Sequence, residues 1–342
     1  MARVRILFIG GTGLISSACS VAALEAGHEL WLLNRGRSVL PPARGARLLH
    51  ADIHDEAGAR EALAGRDWDA VVQWVAFTPD QVSQDLRVFA GQTGQYVFIS
   101  SASAYQKPPA SWLITEGTPM VNPFWRYSRE KIACEAVLAG QQTVPWTVVR
   151  PSHTYGPSQV PVAVGSWAKP FTIIDRMRRG APVIVPGDGT SLWTLTHNTD
   201  FARAFTGLLG RTEALGEAFH ITSDEALTWD QIYREIAAAA KAEANLVHVP
   251  TDAFAGVDPE TWAGLWGDKS HSAVFDNSKI RSLVPGWKAV VPFAEGIRET
   301  LRWFDADPSR QGVDAEANRQ WDALVAIYQA ALEQARTLRT SS

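Results

Sequence analysis

Tyr127 and Lys131, in the run Tyr127-Ser128-Arg129-Glu130-Lys131, put a phenol and an ammonium four residues apart on one face of a helix. A phenol ionises near pH 10 and is a poor proton shuttle at neutrality. An adjacent ammonium, joined by the positive charge of an oxidised nicotinamide, lowers that value toward the working range. Such a pair can move the proton that accompanies hydride transfer. A second element of that chemistry is Ser100-Ser101-Ala102-Ser103-Ala104-Tyr105, which closes a strand-length apolar run. A hydroxyl at the carboxyl edge of a sheet can hold the same substrate oxygen that the tyrosine serves.

Hydride chemistry needs a dinucleotide, and Gly10-Gly11-Thr12-Gly13-Leu14-Ile15-Ser16 follows the first apolar run and opens a helix pattern. Small residues there let the backbone approach a pyrophosphate, while the helix start offers free N–H groups and a positive dipole. Gly10, Thr12, Gly13, Leu14 and Ile15 are the expected cofactor contacts. The bland alternative is a strand-to-helix turn that uses glycine only for its backbone freedom. Ser16 stands where a third glycine is common, and its size blocks nothing. After the second strand comes Asn34-Arg35-Gly36-Arg37, with no carboxylate for the ribose hydroxyls that NAD presents. Asn34 is neutral, and Arg35 with Arg37 can clamp a 2′-phosphate, so the reading is NADP, with NAD as the alternative and a solvated turn as the bland case. Asp52 is placed to receive the adenine amino group or to cap the next helix.

These residues need strands and helices in strict alternation. Apolar runs of strand length cover residues 4–9, 30–33, 47–49, 70–75, 96–100 and 147–149, separated by helix patterns at 14–26, 55–64, 80–89 and 125–139. That order predicts an α/β fold, a doubly wound parallel sheet (Rossmann fold) over residues 1–150. Beyond it, a Pro- and Gly-rich stretch with helices at 171–179, 199–209 and 229–241 reads as a smaller mixed α/β substrate lobe over 151–313, with parts returning to the core. Residues 314–338 place Trp321, Leu324, Val325, Tyr328, Leu332 and Ala335 on one stripe, so 314–342 is read as an amphipathic helix that packs on the body or pairs two subunits.

With 342 residues the chain can bury a full core, and a net charge of -4 argues against a dedicated binder of nucleic acid or anionic membrane. The two cysteines, Cys19 and Cys134, form no CxxC or Cys/His cluster, so neither a disulfide framework nor a zinc site is expected. The first apolar run is too short for a signal core or a membrane span, and the expected address is cytoplasmic.

The ordered set of motifs resembles the extended branch of the short-chain dehydrogenase/reductase superfamily, the NAD-dependent epimerase/dehydratase family. Besides the loop at Gly10 and the Ser101, Tyr127 and Lys131 set, Arg150-Pro151-Ser152-His153-Thr154-Tyr155-Gly156-Pro157 is similar to that branch's RPxxxYGP segment. Gly187-Asp188-Gly189 is similar to its GDG turn, and Asp276-Asn277-Ser278-Lys279 with Pro285-Gly286-Trp287 to its C-terminal elements. The resemblance implies Ser101 as the catalytic hydroxyl, Tyr127 as acid and base, and Lys131 as ribose ligand and modifier of the phenol. It implies Ala76 and Pro151 beside the cofactor, His153 and Trp193 near the substrate, and a homodimer through two long helices.

Departures narrow the implied chemistry. Dehydratases of the branch carry an Asp-Glu pair directly after the active-site hydroxyl, where this chain has Ala102-Ser103, so dehydration is disfavoured. Trp193-Thr194-Leu195 stands where sugar-nucleotide enzymes place an Arg-Asp-Phe/Tyr triplet that binds a nucleotide phosphate. The expectation is an NAD(P)-dependent epimerase or oxidoreductase acting on a secondary alcohol or ketone of a sugar, sugar nucleotide or polyol. The alternatives are an NADPH-dependent ketone reductase of a non-nucleotide substrate and, in another class, a non-catalytic nucleotide-sensing or RNA-binding relative. Trp112, Trp125, Trp167, Trp193 and His197 are read mainly as packing residues, with stacking on a sugar or aromatic ring as the alternative for the indoles, and the arginines of 175–179 as a solvated helix end.

Overall fold

The protein is described by a computed structural model over residues 3–36 and 40–337. Seven strands form one sheet: β1 (Arg5–Ile9), β2 (Glu29–Asn34), β3 (Arg47–His50), β4 (Ala70–Gln73), β5 (Tyr96–Ile99), β6 (Trp146–Pro151) and β7 (Glu217–Ile221). Their order is β7-β6-β5-β4-β1-β2-β3, and every pairing is parallel. The strand order reverses between β1 and β4, the switch point outside which doubly wound sheets bind ligands.

Both faces are covered, which explains why these strands read as continuous apolar runs. Ile6, Phe8, Leu30, Leu32, Val72 and Val97 point to one side, against Cys19 and Ala23 of α1 (Leu14–Glu25) and Phe201, Ala204 and Phe205 of the helix Asn198–Thr206. Leu7, Ile9, Leu33, Val71, Tyr96 and Phe98 point to the other. They meet α2 (Glu56–Leu63), α3 (Pro79–Phe89) and α4 (Arg126–Ala139) through Leu63, Val82, Phe89, Cys134 and Leu138. Both cysteines are buried thiols.

The chain divides into two compact units. The first comprises residues up to 155 with 194–224 and 274–291; the second comprises 156–193, 225–273 and 292 onward. In the first, Asn277 fastens the returning segment to the end of β7, accepting the Thr222 N–H at 3.2 Å and donating to the Thr222 carbonyl at 2.9 Å. Trp287 donates its indole N–H to the Asp200 carbonyl at 3.0 Å.

The second unit holds the parallel strand pair Val183–Pro186 and Leu246–Val249 with the helices Phe171–Arg178, Trp229–Ala239, Phe293–Asp305 and Ala315–Thr337. Arg176 corrects the expectation of a solvated helix end. It is 1% exposed and donates to the Pro182 carbonyl at 2.8 Å, to Asn318 at 2.8 Å and to Asp322 at 2.6 Å. The run reads as surface because the partners that bury it lie far along the chain, on the helix Ala315–Thr337. Of the expected stripe on that helix only Leu324 and Val325 are buried, while Leu332 and Ala335 are exposed.

Strand β4 ends at Gln73, short of the expected residue 75. The Gln73 side chain bends back and its Oε1 accepts the Val75 N–H at 2.7 Å, withdrawing that group from the ladder. Gln73 is itself held by Asp85 of α3, which accepts from Gln73 Nε2 at 2.6 Å and from the Tyr96 hydroxyl at 2.7 Å. Burial pushes the Asp85 carboxyl up to about 7, against the opposing effect of its two donors. Its ordinary value is near 3.9, so between about pH 4 and pH 7 the unfolded chain loses a proton that the folded chain keeps. Stability should therefore fall as pH rises through this window, by on the order of 4 kcal/mol for a shift of this size, and stay level for this group above it. Urea unfolding at pH 5 and pH 8 should show a smaller loss in Asp85→Asn than in the parent; identical slopes would remove Asp85 as the cause.

Candidate functional site

Two glycines shape the turn out of β1. Gly10 and Gly11 hold φ of +102° and +91°, a region that side chains rarely adopt. A Cβ on Gly11 would lie 2.6 Å from a Leu32 methyl, so the loop leaves no room for a side chain there. The loop delivers the chain to Gly13, the N-cap of α1, which has no side chain to satisfy the first-turn N–H groups. Ser16 takes one of them, its hydroxyl accepting the Gly13 N–H at 2.8 Å, and Ser20 fastens the loop by donating to the Gly11 carbonyl at 3.0 Å. Ser16 is thus a helix cap as well as a small residue. Leu14 and Ile15 form the first turn, and the Leu14 carbonyl accepts from Asn198 at 3.0 Å.

Above the carboxyl edge of β1 and β2 opens a cleft of about 390 Å³ whose lining includes Gly10, Thr12, Asn34, Arg35, Asp52 and His54. Five sequence-predicted cofactor residues therefore meet at one cavity; Arg37 lies outside the described residues. Asn34 accepts the Gly36 N–H at 3.0 Å, which turns the chain so that Arg35 faces Asp52. The Arg35 guanidinium, mostly open to solvent, stands 3.5 Å from the partly exposed Asp52 carboxylate. Asp52 also accepts the His54 N–H at 3.1 Å, and this bond, followed by Arg35, holds its carboxyl below the usual range. The cap of α2 is Asp55, which accepts from Gly58, so Asp52 is left to line the cleft. The glycine cradle, the start of α1 and this cleft fit the phosphates and adenosine half of a dinucleotide.

The Tyr127 and Lys131 pair is carried by α4 and stands beside the chain ends that follow β4 and β5. Lys131 is 2% exposed, and its ammonium donates to the carbonyls of Ala76 at 2.7 Å and Ile99 at 2.8 Å. Burial lowers it to about 8. It lies 5.8 Å from the Tyr127 ring centre, as the spacing of four predicts, and 4.7 Å from the rings of Phe77 and Phe98. Ser101 caps a short 3-10 turn, Ala102–Ala104, that follows β5. Three residues that sequence reasoning missed join this turn to α4. Asn122 donates to the Ser103 carbonyl at 2.7 Å while accepting the Phe124 and Trp125 N–H groups. Ser128, next to Tyr127, donates to the Ser103 hydroxyl at 2.8 Å. The only visible hint was the recurrence of hydroxyls at Ser101, Ser103 and Ser128.

Pro151 ends β6 opposite Ile221, and His153 follows it, 9% exposed. Trp193 takes the packing role and not the substrate role: it is 1% exposed within the second unit, 5.0 Å from Trp229. Both indoles donate to the Lys269 carbonyl, at 3.2 and 2.8 Å. A ring packed in this way has no face for a substrate. Trp112 and Trp167 are exposed, whereas Trp125 is half-buried, 4.9 Å from the Tyr127 ring. His197 is buried and bonded to Thr199 at 2.8 Å. Among the described residues there is no cluster of metal-ligating side chains, and no helix is long and apolar enough to cross a membrane.

Residues 6–222 match the NAD dependent epimerase/dehydratase family. The chain is 26% identical over 335 residues to the chloroplast stem-loop binding protein of 41 kDa b of Arabidopsis thaliana, covering 94% of this chain and 84% of that protein. It is 25% identical to the 2'-dehydrokanamycin reductase of Streptomyces kanamyceticus, over 83% of this chain and 80% of that one. The fold matches a dTDP-glucose 4,6-dehydratase from Bacillus anthracis in complex with NAD, with TM-score 0.71 and 19% identity, covering 90% and 98% of the two chains.

The crowding at Gly11 generates a direct test. Gly11→Ala combines a left-handed backbone with a contact that only a shift of Leu32 can relieve, and should cost roughly 1–3 kcal/mol of stability. An unchanged melting temperature would contradict the cradle.

Proposed function

Because the chain belongs to the NAD dependent epimerase/dehydratase family, we propose that it is an NAD(P)-dependent epimerase or oxidoreductase acting on a secondary alcohol or ketone of a sugar, sugar nucleotide or related polyol. The observation that carries this reading is the buried Lys131 ammonium, held by two carbonyls beside the Tyr127 ring. A bound nicotinamide supplies or accepts the hydride. The chain's own residues then have the proton to manage. Tyr127 gives a proton to the ketone oxygen or takes one from the alcohol, and the fixed ammonium stabilises the phenolate left in the first case. Ser101 donates to the same oxygen and holds it against the tyrosine. Gly10, Thr12, Gly13, Leu14 and Ile15 would hold the cofactor's phosphates and Asp52 its adenine, with Ala76, Lys131 and Pro151 bordering the nicotinamide half. His153 remains a candidate substrate contact.

NADP is the favoured cofactor, supported by Arg35 in the cleft and by neutral Asn34 at the end of β2; NAD is the alternative. Ala102 and Ser103 place no carboxylate directly after Ser101, which favours epimerisation or plain oxidation and reduction over loss of water, in a family that contains dehydratases as well. Likeness to the 2'-dehydrokanamycin reductase supports the reductase part of a variant reading, an NADPH-dependent ketone reductase of a non-nucleotide substrate. Likeness to the stem-loop binding protein keeps a second class in view, a non-catalytic RNA-binding or nucleotide-sensing relative.

Denaturing the purified protein and identifying any released nucleotide separates the first two: retained oxidised cofactor supports an epimerase, and an empty site preferring NADPH supports a reductase. Tyr127→Phe should lower turnover by roughly 10²–10⁴-fold with cofactor affinity preserved. Full turnover in that variant would sink the role of Tyr127, and a parent protein without turnover that binds a stem-loop RNA tightly, with the binding intact in Tyr127→Phe, would move the protein into the second class. Arg35→Ala should weaken NADPH far more than NADH in a fluorescence titration, and equal weakening would take Arg35 out of the 2′-phosphate site.

A further inference from the structure

Ser101, Ser103 and Ser128 form a connected chain of hydroxyls. Ser128 Oγ donates to Ser103 Oγ at 2.8 Å, inside a buried stretch of α4. Ser103 Oγ is 2.9 Å from Ser101 Oγ, and the Ser103 N–H is 3.2 Å from that same oxygen. A hydroxyl carries one proton and accepts at two lone pairs. Ser103 is buried and accepts from Ser128, and Ser101 Oγ is the other hydroxyl within reach of its Oγ, so its proton is satisfied by entering the bond to Ser101. Ser101 then accepts twice, from the Ser103 hydroxyl and from the Ser103 N–H, and both its lone pairs are used. Its remaining capacity is its proton, which must leave the cluster.

We propose that Ser103 is a positioning residue that fixes Ser101 as a hydrogen-bond donor toward the reacting oxygen, with Ser128 setting the direction of the chain. This rests on the reading of Ser101 as the hydroxyl that holds that oxygen. A donor is what the oxygen needs in both directions of the reaction. A ketone oxygen can only accept. An alcohol oxygen that gives its proton to the Tyr127 phenolate still accepts from Ser101. A serine free to rotate would spend part of its time as an acceptor, competing with Tyr127 for the alcohol proton. Fixing the order before substrate arrives removes that competition, a form of electrostatic preorganisation. Asn122 adds the second clamp by holding the Ser103 carbonyl at 2.7 Å, so the turn cannot move without α4.

The deciding experiment is neutron diffraction on crystals of the perdeuterated protein, which needs neither a substrate nor a variant. Expected is deuterium on Ser103 Oγ lying toward Ser101, with the Ser101 deuterium pointing away from Ser103. The Ser101 deuterium found on the Ser103 side would overturn the proposal. In turnover of the substrate that the parent accepts, Ser103→Ala should lower kcat roughly tenfold, the worth of one oriented hydrogen bond, with the Kd for NADPH unchanged. Ser103→Thr should restore it, and Ser103→Ala should add nothing in a Ser101→Ala background. Additive losses, or a weakened NADPH affinity, would make Ser103 a merely structural residue. If the deuterium order is as expected but Tyr127→Phe keeps full turnover, the hydroxyl chain stands and the catalytic reading falls.

Discussion

A buried ammonium must find acceptors or give up its charge, and the architecture around Lys131 follows from that demand. Its acceptors are the carbonyls of Ala76 and Ile99, at the ends of neighbouring strand segments. For Ala76 to turn its carbonyl inward, β4 has to leave the ladder early, and Gln73 makes it do so by capturing the Val75 N–H. Gln73 is in turn held by Asp85, beneath the sheet on α3. A connected path of hydrogen bonds and backbone thus runs from a buried carboxyl on one helix, through the end of a strand, to a lysine on another. The hydrogen bond from Gln73 to Asp85, with that from Val75 to Gln73, is what fixes this strand end.

The same sheet explains which features could be read from the sequence. Strands covered on both faces are apolar at every position, so their places in the chain were visible to within a few residues, and the i,i+4 spacing of Tyr127 and Lys131 was realised on α4. What could not be read depended on partners distant in sequence. Arg176 looks like part of a solvated run until Asn318 and Asp322 bury it. Trp193 looks available to a ligand until Trp229 and the Lys269 carbonyl enclose it. Strand β4 stops where a side chain, rather than the apolar pattern, takes over its N–H.

At the cofactor end the governing balance is electrostatic. Arg35 is mostly exposed and 3.5 Å from Asp52, a pair worth little in water and easily exchanged. A dianionic phosphate in the cleft would compete with Asp52 for the guanidinium, and would be favoured because it offers more charge and a bidentate fit. The loose pair therefore keeps Arg35 at the cleft without locking it. Asp52 stays anchored by the His54 N–H, so exchanging its cationic partner need not move it.

The two ends of the site also differ in how firmly each is set. Around Arg35 the polar groups are solvated and can adjust to the nucleotide that enters. Around Ser101 they are buried or half-buried, and the Ser128 and Ser103 hydroxyls and the Ser103 carbonyl, held by Asn122, are all engaged in hydrogen bonds. Binding tolerates adjustment, since a ligand can reorganise an exposed arginine at small cost. Proton transfer does not, since a donor that must first rotate adds its reorganisation to the barrier. The rigid hydroxyl chain sits beside the helix that carries Tyr127 and the adjustable ion pair beside the adenosine cleft, the order in which those two demands fall.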